Sequence, residues 1–172
     1  MKIRATLLSV NRDLNMQFVN NNNISNTEVI NNAITYYNVY NATDIKFEVK
    51  PYGIRKYITV HNNTAPRNFT FKIVTNVLNA TFKEKSLIFN TTIGNLRSFF
   101  IDRPYGYYTY TINDTDTNGG VSRILTITRT IDLEYELRRD ETGLYLDLNV
   151  KTPYEDVVFP LTIDPSVLSV NT

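Results

Sequence analysis

The chain has no cysteine, no tryptophan, one histidine, and only six glycines and six prolines in 172 residues. Without cysteine there can be no disulfide, no thiolate metal centre and no Cys nucleophile. Sparse glycine and proline exclude a collagen-like or low-complexity chain. No apolar stretch approaches the ~18 residues of a transmembrane helix, so no membrane span is expected. The first apolar run, Ala5 to Val10, ends in Asn-Arg-Asp and is too short for the core of a secretion signal. The chain therefore either needs no signal or is a unit cut from a longer precursor. Charge of one sign is also lacking: 18 basic and 17 acidic residues leave a formal net charge of +1. The densest basic pair, Arg138-Arg139, stands among Glu136, Asp140 and Glu141. No electrostatic track for a phosphate backbone results, and nucleic-acid binding is not expected. Neither a glycine-rich phosphate loop nor a G-x-S-x-G elbow is present.

What is present favours strands. Tyr (12) and Phe (9) accompany many β-branched residues, the composition that suits a pleated, half-buried surface. The organising stretch is 36–60, YYNVYNATDIKFEVKPYGIRKYITV. Ile45, Phe47 and Val49 alternate with charged neighbours. After Pro51-Tyr52-Gly53, Ile54, Lys56, Ile58 and Val60 alternate with Arg55, Tyr57 and Thr59. That period of two predicts a hairpin with one apolar face. Ile3 to Leu8 and Leu14 to Phe18 predict two earlier strands. The Asn-rich run 20–32 predicts a loop, and Ala33 to Val39 a strand. Further short strands are predicted at 69–73, 77–83, 87–89, 96–101, 105–112, 121–130, 133–137, 144–150 and 157–163, with no persuasive helix. About a dozen strands at regular spacing predict an all-β, antiparallel β-sandwich, with jelly-roll and Ig-like topologies both open. The length suits a single domain over 1–172 that buries roughly 70% of its unfolded surface. Within it, a core module covers about 33–166, preceded by the N-terminal strands and the Asn-rich loop of 1–32.

Several strings resemble a known type of module. YNVYNATDIKFEV followed by GIRKYITV, the Arg103-Pro104-Tyr105 strand start, and the closing Phe159-Pro160-Leu161-Thr162-Ile163-Asp164-Pro165-Ser166 are similar to the signature of a β-sandwich in large secreted and surface proteins of bacteria and archaea. Those modules accompany YD-repeat (RHS-like) regions and DNRLRE-type stalk domains. The resemblance covers about residues 33–166. It implies an extracellular, non-catalytic scaffold or spacer with no active site to carry over.

Three groups of residues are candidates for chemistry. Seven Asn-x-Ser/Thr sequons stand at Asn23, Asn41, Asn62, Asn68, Asn79, Asn90 and Asn113. Asn41, Asn62, Asn79, Asn90 and Asn113 are expected in turns and Asn68 on the polar face of its strand, the exposure that N-glycosylation needs. With 22 asparagines in the chain, frequent Asn also generates sequons by chance. Asp114, Asp116 and Asn118, followed by two glycines, have the alternate-oxygen spacing of a Ca²⁺ loop, though the twelfth position is Leu125 and not Glu. The plain alternative is a hairpin turn. Tyr105, Tyr107, Tyr108 and Tyr110 share one strand, where exposed rings would stack on a glycan or anchor a protein, and half-buried rings would simply pack. His61 has no second ligand near it in sequence. Asp44 and Asp164 read as caps of local backbone amides, since a hydrolytic pair would need a cleft and one raised pKa.

These readings lead to an expectation: a non-enzymatic structural or adhesive module of a prokaryotic, archaeal, cell-surface or filament glycoprotein, with neighbouring subunits or sibling domains as partners. No cofactor is expected, unless Ca²⁺ binds at Asp114. Ile3 to Leu8 is expected to be the strand that exchanges between neighbours. Two alternatives are a virion coat or decoration protein and a carbohydrate-binding module.

Overall fold

The computed structural model describes residues 2–7, 10–22, 26–51, 53–75, 79–90, 97–114, 123–165 and 167–169. In chain order the strands begin with β1 (Lys2–Leu7), β2 (Val10–Phe18), β3 (Thr27–Ile30), β4 (Ala33–Tyr40), β5 (Thr43–Lys50), β6 (Gly53–Val60), β7 (Asn68–Thr75) and β8 (Asn79–Lys83). They continue with β9 (Ser86–Asn90), β10 (Arg97–Ile101), β11 (Tyr105–Asp114), β12 (Arg123–Ile131), β13 (Leu133–Asp140), β14 (Gly143–Val150), β15 (Leu161–Asp164) and β16 (Val167–Ser169). A single 3-10 turn at Tyr154–Asp156 completes the described elements. The pairings are antiparallel throughout the described ladders, and the all-β sandwich expected from the alternation is the fold observed.

The first sheet has the order β1-β2-β7-β14-β13. Its register lines up apolar residues strand by strand. Leu137 opposes Leu146, Leu146 opposes Phe71, and Phe71 opposes Phe18. The next row joins Tyr135, Leu148 and Phe69. Phe69, Leu146 and Leu148 have no exposed surface, and each such side chain stabilises the fold by about 1.5–3 kcal/mol. Because β2 supplies Met16 and Phe18 to this core, residues before 33 belong to the sandwich itself.

The second sheet has eleven strands and branches at β6. One edge of β6 pairs with β5, which leads to β4 and β3. Along the other edge, β15 opposes Ile58–Val60 and β16 opposes Gly53 and Ile54 in one continuous register. From β15 the sheet continues to β11 and β12, and from β16 to β10, β9 and β8. Two adjacent strand lines are thus interrupted at one level, one between Asp164 and Val167 and the other between Ile101 and Tyr105. Ile45 and Ile58 face the first sheet with Leu161 and Ile163, all four fully buried.

β12 passes almost directly into β13 and so moves from the second sheet to the first at Asp132. There the Asp132 N–H donates to Thr152 Oγ1 at 2.8 Å, and the Lys151 N–H donates to the Asp132 carbonyl at 2.9 Å. The crossing leaves no room beside Gly106. A Cβ at that position would stand 2.6 Å from Ile131 Cγ1 and 2.9 Å from Leu133 Cδ1.

Two expectations are corrected. The Asn-rich run is not all loop, because it contains β3, which pairs with β4 from Thr27↔Tyr36 to Ile30↔Ala33. Asn31 turns that hairpin at φ 53°, a left-handed conformation that asparagine tolerates. In the β5–β6 hairpin, Val49 keeps the face of Ile45 and Phe47 but is not covered as they are. It lies one row from the Pro51 turn and is 59% exposed.

Candidate functional site

The one fully buried charge on the inner face of the β5–β6 hairpin is Lys56. Its register fixes this position: it opposes Phe47 on β5, between the inward Ile54 and Ile58. On its other side lies the interruption between β15 and β16. The ammonium stands 3.5 Å from the centroid of the Phe71 ring on the facing sheet, close enough for the cation–π attraction of a desolvated pair. Burial pulls its pKa down to about 7, against an opposing pull from the Asp164 carboxylate.

Tyr135 reaches into the same interior from β13. Its hydroxyl is buried and has no hydrogen-bond partner among the described residues. Burial, with the negative charges of Asp164 and Asp102 adding to it, holds that phenol well above its usual pKa. Asp164 itself faces Arg55, with Nη2 to Oδ2 at 3.8 Å. Lys56 and the Tyr135 hydroxyl thus both feel the charge of Asp164, the last residue of β15 before the interruption. Sequence alternation carried a signal for Lys56, a charge on an apolar period. Nothing local marked Tyr135, which looks like any inward aromatic.

Tyr135 also lines a groove of about 580 Å³ between the β8–β9 turn and the start of β13. Phe82, Pro104 and Leu133 line its apolar part, and Lys85, Asp132, Glu134 and Lys151 its polar part. Lys151 and Glu134 already satisfy each other at 2.7 Å, which lowers the Glu134 pKa and raises that of Lys151. Among the described residues the lining holds no Ser, Thr, Cys or His.

The histidine has a partner that sequence separation concealed. His61 Nε2 lies 2.7 Å from Asp44 Oδ2, because β5 and β6 bring residues 44 and 59 opposite each other. Asp44 Oδ1 also accepts the Asn38 N–H at 2.9 Å, and so caps the backbone where Asn38 is left-handed. Among the described residues no hydroxyl is hydrogen-bonded to His61, so the pair lacks the third member of a nucleophilic triad.

The four tyrosines of β11 divide between the two faces of the strand. Tyr105 and Tyr107 lie 5.6 Å apart on one face, and Tyr108 and Tyr110 stack at 6.2 Å on the other. Tyr108 packs on the core and donates its hydroxyl to the Asp156 carbonyl at 3.1 Å. They do not form one platform. Asp114 ends β11 opposite Arg123, while Asp116 and Asn118 lie outside the described residues. Among the described residues no group of three or more His, Cys, Asp or Glu is arranged to hold a metal.

The sequons are placed as follows. Asn41 and Asn62 lie in turns, as expected. Asn68 is exposed on β7, with Nδ2 donating to Asn149 Oδ1 at 2.6 Å. Asn79, Asn90 and Asn113 are corrected from turns to strands, in β8, β9 and β11: β9 and β11 run one or two residues beyond their apolar alternation, and Asn79 opens β8 within the strand expected at 77–83. Asn113 is exposed and Asn90 half-buried. Asn23 lies outside the described residues. At Asn62 the side-chain carbonyl accepts both the N–H and the hydroxyl of its own sequon threonine, Thr64, at 2.9 and 2.7 Å.

With this geometry the chain is, by class, an all-β two-sheet sandwich with a branched second layer. Comparison with family models, with curated proteins and with solved structures finds no match.

Proposed function

We propose that this sandwich is a non-enzymatic structural or adhesive module on the exterior of a prokaryotic, archaeal, cell, in a surface or filament glycoprotein. The observation that carries the reading is the division of the molecule into a continuous core and a polar, asparagine-rich outside. One cluster of buried side chains spans both sheets. Sequon asparagines Asn41, Asn62, Asn68 and Asn113 are exposed around it. Two packed sheets with long hydrogen-bonded ladders make a stiff body suited to spacing and load-bearing. Support for a role without bond-making comes from the polar groups themselves. The His61–Asp44 pair is used in a cap, Lys151 and Glu134 on the groove rim pair with each other, and Lys56 is sealed against Phe71. The resemblance of the closing FPLTIDPS string to surface modules points the same way.

Labelling of intact native cells with a membrane-impermeant amine reagent tests this reading. Modification of exposed lysines such as Lys151 without lysis is the expected result. Protection until the cells are opened would refute it. Intact mass from the same source addresses the glycans. Asn62, whose carbonyl is already engaged and whose Nδ2 has no partner among the described residues, is expected to carry one, and Asn62→Gln to lose that mass. A mass equal to the bare chain would remove glycosylation from the account.

A further inference from the structure

β11 and β12 run past the end of their sheet. β15 supports β11 only from Tyr105 to Tyr108. From Thr109↔Thr128 to Asp114↔Arg123 the two strands pair, among the described residues, with each other alone. This arm is six residue pairs long, about 20 Å at the usual rise per residue. Its two faces differ. Tyr110, Ile112, Leu125 and Ile127 lie on the face that continues the core, whereas Thr109, Thr111, Thr126 and Thr128 lie on the other. Ile112 and Leu125 remain 40% and 42% exposed. A two-stranded ribbon is marginally stable in water, and three or more strands with an apolar face are needed to hold it.

The free edge of the arm is β12, RILTITRTI, nine residues in the described structure. Its pairing to β11 shows no register shift over its whole length. It contains no proline, no lysine and no acidic residue, and its two charges, Arg123 and Arg129, leave the five residues between them, Ile124 to Thr128, uncharged. The other described edges are blunted or short. Five of the eight residues of β13 are charged. β3 has four residues, β8 has five, and β1 carries Lys2 and Arg4 in six.

We propose that β12 is an assembly edge that pairs antiparallel with β12 of a second copy of this chain, about a two-fold axis at Ile127. Unpaired backbone amides and carbonyls call for an extended strand, which fixes the chemistry of the partner. The sequence of the edge is complementary to itself in this register. Thr126 of one copy opposes Thr128 of the other, and Ile127 meets its own counterpart. Leu125 opposes Arg129, so neither arginine faces an arginine. Cross-strand Thr–Thr pairs are favourable and directly opposed like charges are not. The product is a four-stranded sheet, β11-β12-β12-β11, in which the two apolar stripes join. This inference rests on the proposed structural role and names the edge through which the module would meet its neighbour.

The test is sedimentation of the full chain over a range of concentrations, with charge exchange at the edge. The wild type is expected to approach twice its 19.9 kDa mass. Thr126→Lys with Thr128→Lys opposes two pairs of lysines across the axis and should weaken association about tenfold. Both sites are exposed on β12, so its melting temperature should stay unchanged. Mixing it with the Thr126→Glu, Thr128→Glu chain should restore association as a heterodimer. Because the chain has no cysteine, Ile127→Cys should form a disulfide-linked dimer on mild oxidation, and Thr130→Cys should not. A wild type that stays monomeric to ~1 mM overturns the edge pairing and leaves the surface role standing. Association that the double-lysine chain retains also overturns it, as does equal cross-linking at both cysteine positions. Cell labelling that fails while β12 pairing holds would reject the surface role alone.

Discussion

Replacing Lys56 by methionine should stabilise the protein, and most strongly at neutral and low pH. Lys56 is 1% exposed, and burial lowers its pKa from 10.5 to about 7 in the fold. Between those values the unfolded chain holds a proton that the folded chain releases. Stability therefore rises with pH across the window from about 7 to 10.5 and is flat below it, where both states are protonated. From pH 7 to pH 9 the linked term amounts to roughly 2 kcal/mol. For a chain of this size that is a rise of about 4–8 °C in melting temperature. Tyr40 and Tyr154 act in the opposite sense at higher pH. Their folded pKa values are raised to about 12, chiefly by burial, so the stability they contribute below pH 10 is lost as pH climbs toward 12. The wild type should then be most stable between about pH 9 and 10. Lys56→Met keeps the length of the side chain and sets a thioether against the Phe71 ring, a favourable contact. Exchanging buried ionic groups for packed apolar ones of similar volume is often neutral or gains about 1–4 kcal/mol. Melting curves of both proteins from pH 5 to 10 decide the matter, because subtraction removes every other titrating group. Parallel pH profiles, or a methionine variant that is the less stable at pH 7, would refute the reasoning.

Three further outcomes follow from single contacts. Gly106→Ala drives a methyl into Ile131 and Leu133 at the crossing between sheets, and should cost roughly 1–3 kcal/mol in urea denaturation. Tyr135→Phe removes a buried hydroxyl with no partner among the described residues. It should leave the urea midpoint unchanged or raise it by up to about 1 kcal/mol equivalent, whereas a clear loss would mean that the hydroxyl is satisfied. The β8–β9 turn holds Glu84 and Lys85 at φ 51° and 68°. Exchanging that pair for Asn-Gly, the preferred sequence of such a turn, should therefore raise stability by about 1–2 kcal/mol in the same assay.

The strands themselves were legible because alternation is a local signal. Phe69, Phe71 and Ile73 mark β7 without help from the rest of the chain, and Leu144 to Val150 mark β14 in the same way. β3 was hidden because Thr27 to Ile30 stand in a run of asparagines. Asparagine is there partly for backbone reasons: Asn20, Asn31 and Asn38 all adopt positive φ. The branch at β6 was beyond reach, since it depends on β15 and β16 keeping one register across Pro165-Ser166. For the same reason the meeting of Lys56 and Phe71 could not be read, because they come from strands of different sheets. His61 and Asp44 are 17 residues apart and meet only through the hairpin register. The tyrosines of β11 show the opposite limit. Their spacing along the strand was plain, and the period of two already divides them between two faces.

The central claim is that this chain works through the outside of a rigid sandwich, with β12 as the edge that joins it to another copy. Amide hydrogen exchange at low and high protein concentration tests it most directly. The inner ladders of β6, β7 and β14 should be protected at both concentrations, and along 123–131 the amides that point away from β11 should gain protection only at the higher one. Exchange that is fast through β6 and β7, or independent of concentration along β12, would contradict the account.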